Sequence, residues 1–194
     1  MSFILGTIYN IISKSGAKVK ALPNDTLGIS EETIYGLSDL FVANSPCLAG
    51  NSVPGCVSLM SFTKPGWFLR HFGEEQLLVE PKTNPRDSTT YASDASFFVR
   101  ENHFVANYVA LESVNLPGYF VSLQSNVTGP LTLQRMRNDS SFYEAASFRL
   151  ATPSSLSNRR KRDTSGNSTQ SITFTITKRQ IILLYGYFDD FYCV

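Results

Sequence analysis

The chain has 194 residues, of which 12% are aromatic and 17% are charged, and its formal net charge is +1. This length is enough for one domain with a buried core. A nearly neutral chain does not suggest a nucleic-acid partner, and no apolar run is long enough to cross a bilayer.

The first fifty residues contain two β-prone runs, "IYNIISKSGAKVKAL" and "GLSDLFVA". The opening "MSFILGTIYNIISKSG" has no basic n-region, and Asn10 interrupts its apolar run. It therefore lacks the pattern of a signal peptide.

Two later segments share one pattern. The segment "CVSLMSFTKPGWFLRH" (Cys56–His71) aligns with "YVALESVNLPGYFVSL" (Tyr108–Leu123) at an offset of 52 positions. Further on, "DASFFV" (Asp94–Val99) aligns with "AASFRL" (Ala145–Leu150). Apolar and polar residues alternate as in half-buried strands, and the Pro-Gly pairs favour turns. Each segment predicts a module of four strands, and no segment has a convincing helical stripe.

Two such modules cannot bury all of their apolar faces, so a third is expected. Residues 1–50 are the candidate; in our alignment "IYNIIS" and "KVKAL" match the second and third strands of a module, and the first strand is short or missing. We predict an all-β protein, a β-trefoil with repeats at about 1–52, 53–104 and 105–152, the first degenerate or truncated.

The pattern ends after residue 152. Residues 153–171 predict a disordered basic linker, and residues 172–194 form a β-prone tail of unknown status. The cluster "NRRKRD" in the linker is a candidate for proprotein cleavage after Arg162. The alternatives are a solvated charge cluster and a nuclear localisation signal.

Four Asn-x-Ser/Thr sequons, at Asn24, Asn126, Asn138 and Asn167, favour the secretory route. We therefore expect an extracellular location, in a secreted or extracellular-matrix glycoprotein. Because no signal peptide is found, we expect this chain to be a fragment or an incomplete gene product.

The three cysteines are Cys47, Cys56 and Cys193, and an odd count leaves at least one unpaired or bonded to another chain. Cys47 and Cys56 flank a turn-like "LAGNSVPG" and are a candidate disulfide. No Cys-x-x-Cys motif or His-rich cluster predicts a metal site, and no cofactor is expected.

The Pro-Gly-aromatic strand that ends in Arg-His, followed by Asp-Ala-Ser-Phe, resembles the arabinofuranose-binding domain of α-L-arabinofuranosidase B. The resemblance is close over residues 36–152 and weaker over 1–35. That family is a β-trefoil carbohydrate-binding module. The resemblance implies a pocket in which His71 and Asp94 hydrogen-bond sugar hydroxyls. Phe72, where the family often has Tyr, would form an apolar wall.

The other repeats depart from this motif. In the third repeat Leu123 and Ala145 occupy the His and Asp positions, so we expect its pocket not to bind sugar. In the first repeat Asp39 is a possible vestige of the Asp, and no His matches. The family often has a disulfide at the position of Cys56; Phe98 stands where the partner would be, so the resemblance implies that this disulfide is absent.

Each candidate also has an ordinary structural explanation. Without a role in sugar binding, His71 would be a histidine at the end of a strand, and Asp94 would be a residue that caps a turn. Trp67 and Tyr119 are expected to pack against the barrel.

The chain is not predicted to be an enzyme, because it has no matched carboxylate pair, nucleophile elbow or phosphate loop. Three functions remain. The first is a non-catalytic carbohydrate-binding module for arabinofuranose-type sugars or another glycan. The second is a structural β-trefoil with decayed sugar sites that binds other extracellular proteins. The third is an accessory module of an α-L-arabinofuranosidase, in L-arabinose metabolism, whose catalytic domain is not in this chain.

Overall fold

The computed structural model describes residues 6–22, 24–30, 40–73, 76–124 and 130–153. The chain separates into two units, Met1–Thr152 and Pro153–Val194. Apart from Pro153, the predicted linker and tail lie outside the described residues.

The described residues form twelve strands and two short helices, which fall into three groups of four strands. In chain order the strands are β1 (Ile8–Ser13), β2 (Lys18–Ala21), β3 (Leu27–Ser30), β4 (Leu40–Asn44), β5 (Cys56–Ser61), β6 (Trp67–Phe72), β7 (Gln76–Pro81), β8 (Phe97–Glu101), β9 (Val109–Ser113), β10 (Tyr119–Leu123), β11 (Leu131–Arg135) and β12 (Phe148–Ala151). Helix α1 (Tyr91–Asp94) precedes β8, and helix α2 (Ser140–Ala145) precedes β12.

Six strands form a closed ring, in which each strand pairs antiparallel with two neighbours. The ring runs β1–β4–β5–β8–β9–β12 and returns to β1. The other six strands form three hairpins, β2–β3, β6–β7 and β10–β11, one in each repeat. A closed six-stranded barrel with three hairpins is a β-trefoil, and closure removes the sheet edges of the barrel. The predicted fold is confirmed.

Equivalent residues from the three repeats fill the barrel. The first strand of each repeat contributes one aliphatic side chain and the fourth strand one phenylalanine. All six are at most 1% exposed: Ile11, Leu59, Leu111, Phe41, Phe97 and Phe148. Each phenylalanine lies opposite a buried serine at the end of the next first strand, in the pairs Phe41–Ser61, Phe97–Ser113 and Phe148–Ser13. Residues two positions apart on a first strand, such as Leu59 and Ser61, therefore share one face of the strand, and in β5 both faces are buried.

The Pro-Gly turns of the second and third repeats have the same geometry. Gly66 and Gly118 have φ values of +81° and +80°, a region that glycine enters without steric cost. In each turn the N–H after the glycine donates to the carbonyl three residues earlier, at 3.0 Å. This is the arrangement of a type II turn, which favours Pro followed by Gly.

The prediction that the first repeat is truncated is wrong, because that repeat has all four strands. The segment "IYNIIS" forms the first strand, β1, and "KVKA" forms the second, so the alignment was displaced by one strand. The connection between them is a tight turn in which the Ser13 N–H donates to the Ala17 carbonyl at 2.8 Å. This turn contains no Pro-Gly pair, so it lacks the mark that identified the other repeats.

The two helices were not predicted. They have four and six residues, which is too short for a hydrophobic stripe to be recognised. Their importance is positional, because α1 ends at Asp94 and α2 ends at Ala145, the two positions compared between the repeats.

Candidate functional site

The fold brings His71 and Asp94 together. His71 lies near the end of β6, and Asp94 is the last residue of α1, 23 positions later in the chain. The Nε2 atom of His71 is 3.5 Å from Oδ1 of Asp94. Both residues are buried, with exposures of 2% and 4%. The pair therefore lies just below the surface rather than in an open pocket.

Three side chains hold the Asp94 carboxylate. Arg70 donates from Nη2 to Oδ2 at 2.8 Å, and Thr90 donates from its hydroxyl to the same oxygen at 2.7 Å. Asn115 donates from Nδ2 to Oδ1 at 2.7 Å. Thr90 is one turn before Asp94, so the short helix sets this contact, whereas Asn115 reaches the site from the third repeat.

The imidazole of His71 is held at both nitrogens. Nδ1 is 2.9 Å from the Gly73 carbonyl, and Nε2 is 2.9 Å from Oδ1 of Asn115 and 3.1 Å from the Ser113 hydroxyl. A carbonyl oxygen can only accept a hydrogen bond, so Nδ1 is the donor to Gly73. Nε2 lies on the side of the ring that faces Asn115, Ser113 and the Asp94 carboxylate.

Arg70 connects the site to a second carboxylate. It is 1% exposed and donates to Oε2 of Glu80 at 2.9 Å as well as to Asp94. Glu80 has a further partner in Arg86, whose Nε is 3.3 Å from Oε1. Buried charges of this kind are tolerated when each has an opposite charge and hydrogen bonds. Arg70, Glu80 and Asp94 form such a network, which we call the Arg70 network.

Tyr91 lies beneath this network. Its hydroxyl donates to the Glu80 carbonyl at 2.7 Å, and its ring centroid is 5.1 Å from the Arg70 guanidinium carbon. Burial raises the pKa of Tyr91, Glu80 adds to the increase and Arg70 opposes it. The phenol therefore stays neutral and acts as a hydrogen-bond donor and a cation–π partner.

Phe72 lies at the surface beside the network. It is 39% exposed, and its ring centroid is 5.5 Å from the guanidinium carbon of Arg70 and 6.0 Å from that of Arg86. An exposed ring beside a polar cluster has the composition of a shallow ligand site. Its assignment as the wall of a sugar pocket remains a prediction.

The third repeat has lost the entire network. Strand register places Gln134 opposite Phe120, as Glu80 lies opposite Phe68. The four charged or ionisable positions of the second repeat have uncharged equivalents, with Ser122 for Arg70, Leu123 for His71, Gln134 for Glu80 and Ala145 for Asp94. Leu123 and Ala145 belong to the apolar core. Sequence comparison identified the replacements at Leu123 and Ala145. It missed those at Ser122 and Gln134, although the joint absence of Arg and Glu at these two positions of the third repeat is visible in the sequence.

Asn115 was missed because no local signal marks it. It lies in the turn after β9, where the second repeat has Thr63. Its partners belong to the preceding repeat, and a motif read along one repeat does not show contacts between repeats.

Over the described ranges, every buried side-chain nitrogen or oxygen has a hydrogen-bond partner. Within those same ranges, no group of three or more His, Cys, Asp or Glu side chains is placed to hold a metal ion. A helix long and apolar enough to span a membrane is not found in the part of the chain that the structure describes.

A cavity of about 850 Å³ lies elsewhere, against the third-repeat hairpin. Thr132 and Gln134 line one part of it, and Asn24, Gln76 and Tyr119 line others. His71, Phe72 and Asp94 do not line it. This cavity is therefore separate from the candidate sugar site.

Two of the cysteines, one from the first repeat and one from the second, are paired. Cys47 and Cys56 form a disulfide with a Cα–Cα distance of 5.5 Å, which is a normal span. Cys56 also lies opposite Phe98 in the β5–β8 register. A cysteine at position 98 would therefore be adjacent to Cys56, as the resemblance implies for the family disulfide.

Two of the sequons fall on described residues. Asn24 and Asn138 are exposed, and their side-chain oxygens accept hydrogen bonds from the hydroxyls of Thr26 at 2.7 Å and Tyr143 at 2.6 Å. The other candidates lie outside the described residues: Asp39, Asn126, Arg162, Asn167 and Cys193.

The two ring residues after the Pro-Gly turns, Trp67 and Tyr119, are partly buried and pack against the barrel core. This is the packing position that the sequence indicates.

Comparison with known structures supports the fold. An arabinofuranosidase complexed with arabinofuranosyl-α-1,2-xylobiose is 17% identical, with a TM-score of 0.62 over 78% of this chain and 32% of that one. A Macrolepiota procera ricin B-like lectin in complex with lactose is 12% identical, with a TM-score of 0.57 over 79% and 100%. A Polyporus squamosus lectin bound to a sialylated epitope is 13% identical, with a TM-score of 0.55 over 77% and 50%. At these identities the likeness shows the fold alone.

The chain spans about a third of the length of the arabinofuranosidase it matches. Among curated proteins no sequence matches it. A family model described as the alpha-L-arabinofuranosidase B (ABFB) domain matches residues 43–150, which is more than half of the chain and contains the whole candidate site. The chain therefore belongs to the alpha-L-arabinofuranosidase B (ABFB) domain family.

Proposed function

We propose that this chain is a non-catalytic carbohydrate-binding module whose sugar site is the His71–Asp94 pair. The observation that carries the proposal is the 3.5 Å approach of Nε2 to Oδ1, in the one repeat with both motif residues, beside the exposed ring of Phe72. A carboxylate that accepts and an imidazole that donates suit adjacent sugar hydroxyls. The family and the sugar complexes of similar structures support a glycan ligand, and the family name favours arabinofuranose.

The charge arrangement supports binding rather than catalysis. Glycoside hydrolysis uses one carboxyl as a proton donor and a second as a base or nucleophile. Glu80 and Asp94 instead share the guanidinium of Arg70, and both are buried. Any link to arabinofuranosidase activity would then require a catalytic domain outside this chain. Location in a secreted or matrix protein is supported by the exposed sequons at Asn24 and Asn138.

A second candidate function is a structural or protein-binding β-trefoil with a decayed site. Burial favours it, because His71 and Asp94 are 2% and 4% exposed and already have internal partners. Under this alternative the network only stabilises the second repeat, and the partner is another extracellular protein.

Titration with arabinofuranosyl-α-1,2-xylobiose, followed by Trp67 fluorescence and the His71 imidazole NMR signals, separates the two candidates. A single small site predicts a Kd on the order of 1 mM. His71→Ala should abolish binding, and His71→Gln should weaken it. The control is His103→Ala, which changes the second, exposed histidine and should have no effect. Circular dichroism spectra establish that each variant is folded. No response of the wild type at several millimolar sugar, or equal binding by folded His71→Ala, would reject the proposed site.

A further inference from the structure

Asn115 covers the His71–Asp94 pair from the neighbouring repeat. Its side chain is exposed, whereas the two residues beneath it are buried. Nδ2 donates to Asp94 at 2.7 Å, and Oδ1 accepts from the Ser113 hydroxyl at 2.8 Å and lies 2.9 Å from His71 Nε2. The carboxamide of Asn115 therefore occupies hydrogen-bonding positions that His71 and Asp94 would otherwise offer to a sugar.

The anchor of Asn115 recurs in every repeat. A buried serine ends each first strand and bonds the side chain two residues later: Ser13 to Ser15 at 2.8 Å, Ser61 to Thr63 at 3.3 Å, and Ser113 to Asn115 at 2.8 Å. The first two partners have short hydroxyl side chains. Only the third repeat has a longer carboxamide at this position, with separate donor and acceptor atoms. The amide is thus an addition to a recurring turn, placed against the repeat that keeps the His and the Asp.

We propose that Asn115 is a gate whose amide stands where two adjacent sugar hydroxyls bind. This inference rests on the proposed function. The amide occupies the two positions that a vicinal diol would use, with Oδ1 against Nε2 of His71 and Nδ2 donating to Asp94. Because neither residue has room for a ligand while the amide is in place, binding requires Asn115 to turn outwards. The apparent affinity is then reduced by the fraction of molecules in which the gate is closed.

Carbethoxylation by diethylpyrocarbonate tests the gate without any sugar. The chain has two histidines, and His103 is exposed, so His103 is an internal reference in the same molecule. Mass spectrometry of the wild type should find His103 labelled and His71 protected. In Asn115→Ala and Asn115→Ser the rate at His71 should rise by about tenfold or more, as expected when a predominantly closed state is removed. Thr63→Ala, the equivalent change one repeat earlier, should leave His71 protected.

Sugar binding tests the second half of the inference. Asn115→Ala should bind methyl α-L-arabinofuranoside about fivefold tighter than the wild type or better, because no closed state competes. Unchanged labelling of His71 in folded Asn115→Ala, or affinity equal to or weaker than that of the wild type, overturns the gate and leaves the proposed function standing. Absence of binding by both proteins overturns the proposed function, and this inference with it.

Discussion

Arg70 donates a hydrogen bond to Asp94 at 2.8 Å, and both side chains are almost fully buried. The same guanidinium binds Glu80 at 2.9 Å, so one cation balances two carboxylates. This relationship makes Arg70 the centre of the site, because its guanidinium also donates to the His71 carbonyl at 3.0 Å and lies 5.5 Å from the ring centroid of Phe72.

Arg70→Ala should strongly destabilise the domain. Removing the cation leaves two buried carboxylates without their main partner, and breaking a buried pair in this way typically costs about 3–5 kcal/mol. Urea denaturation gives the change in free energy of unfolding. Arg86→Ala is the matched control, because its side chain is 56% exposed and its bond to Glu80 should contribute no more than about 1 kcal/mol. Equal effects of the two changes would show that the Arg70 network is not a structural unit.

Asp139 should give the stability of the third repeat a defined pH dependence. Its carboxylate caps α2 and accepts from the Ser141 hydroxyl and the Phe142 N–H, which lower its pKa from 3.8 to about 2. Because the folded pKa is depressed, the stabilisation is complete above about pH 4–5 and is lost as the pH falls towards 2.

Melting temperatures of the wild type and Asp139→Ala measure this contribution. The variant should melt lower at pH 7, and the difference should shrink as the pH is lowered to 2.5. Asp139→Asn keeps an acceptor at the cap but removes the charge, so it should lie between the two at pH 7. A difference that is constant with pH would contradict the assignment.

Removal of the Cys47–Cys56 disulfide should cost about 2–3 kcal/mol, the value for a short closed loop. The two cysteines are nine positions apart, and the loop is also held by the Ser58 and Ser96 hydroxyls, which accept from backbone N–H groups at 48 and 49. The measurement is urea denaturation of the double alanine variant, in a background where Cys193→Ser prevents exchange. If reducing agent leaves the unfolding midpoint of the parent unchanged, the bond contributes no stability in solution.

Asn24 and Asn138 should carry N-linked glycans when the chain is produced through a secretory pathway. Both side chains are exposed, and attachment at Nδ2 leaves Oδ1 free for its present bonds to Thr26 and Tyr143. Peptide mass spectrometry before and after enzymatic deglycosylation reports occupancy at each site. Asn24→Gln and Asn138→Gln should each remove one glycan; unmodified asparagine in exported protein would contradict this prediction.

The architecture was predictable from the sequence because its determinants are local. Strand alternation and the Pro-Gly turns lie within single repeats, and the recurrence of Phe97 at Phe148 shows that the unit is repeated. A closed barrel follows when three repeats must bury one face each. The first repeat was misaligned because its turn at Ser13–Ala17 lacks the Pro-Gly mark. The short helices gave no periodic signal, although they place Asp94.

The site was only half predictable for a related reason. His71 and Asp94 follow motifs along one repeat, and the structure places them together. Their partners do not follow such a motif. Glu80 contacts Arg70 across a hairpin, and Asn115 belongs to another repeat. Burial of the pair could not be read from residue types, since it depends on which side chain the next repeat supplies.

The β1–β12 pairing, in which Asn10 lies opposite Ala151, has a consequence for the order of synthesis. If residue 152 were joined to residue 6 and the chain were opened before β5 or β9, the rearranged chain would still contain every strand pair of the barrel. Its repeats would be synthesised in a different order, yet the finished ring would be the same. Connectivity and architecture are thus independent in this domain, which makes it a candidate for circular permutation.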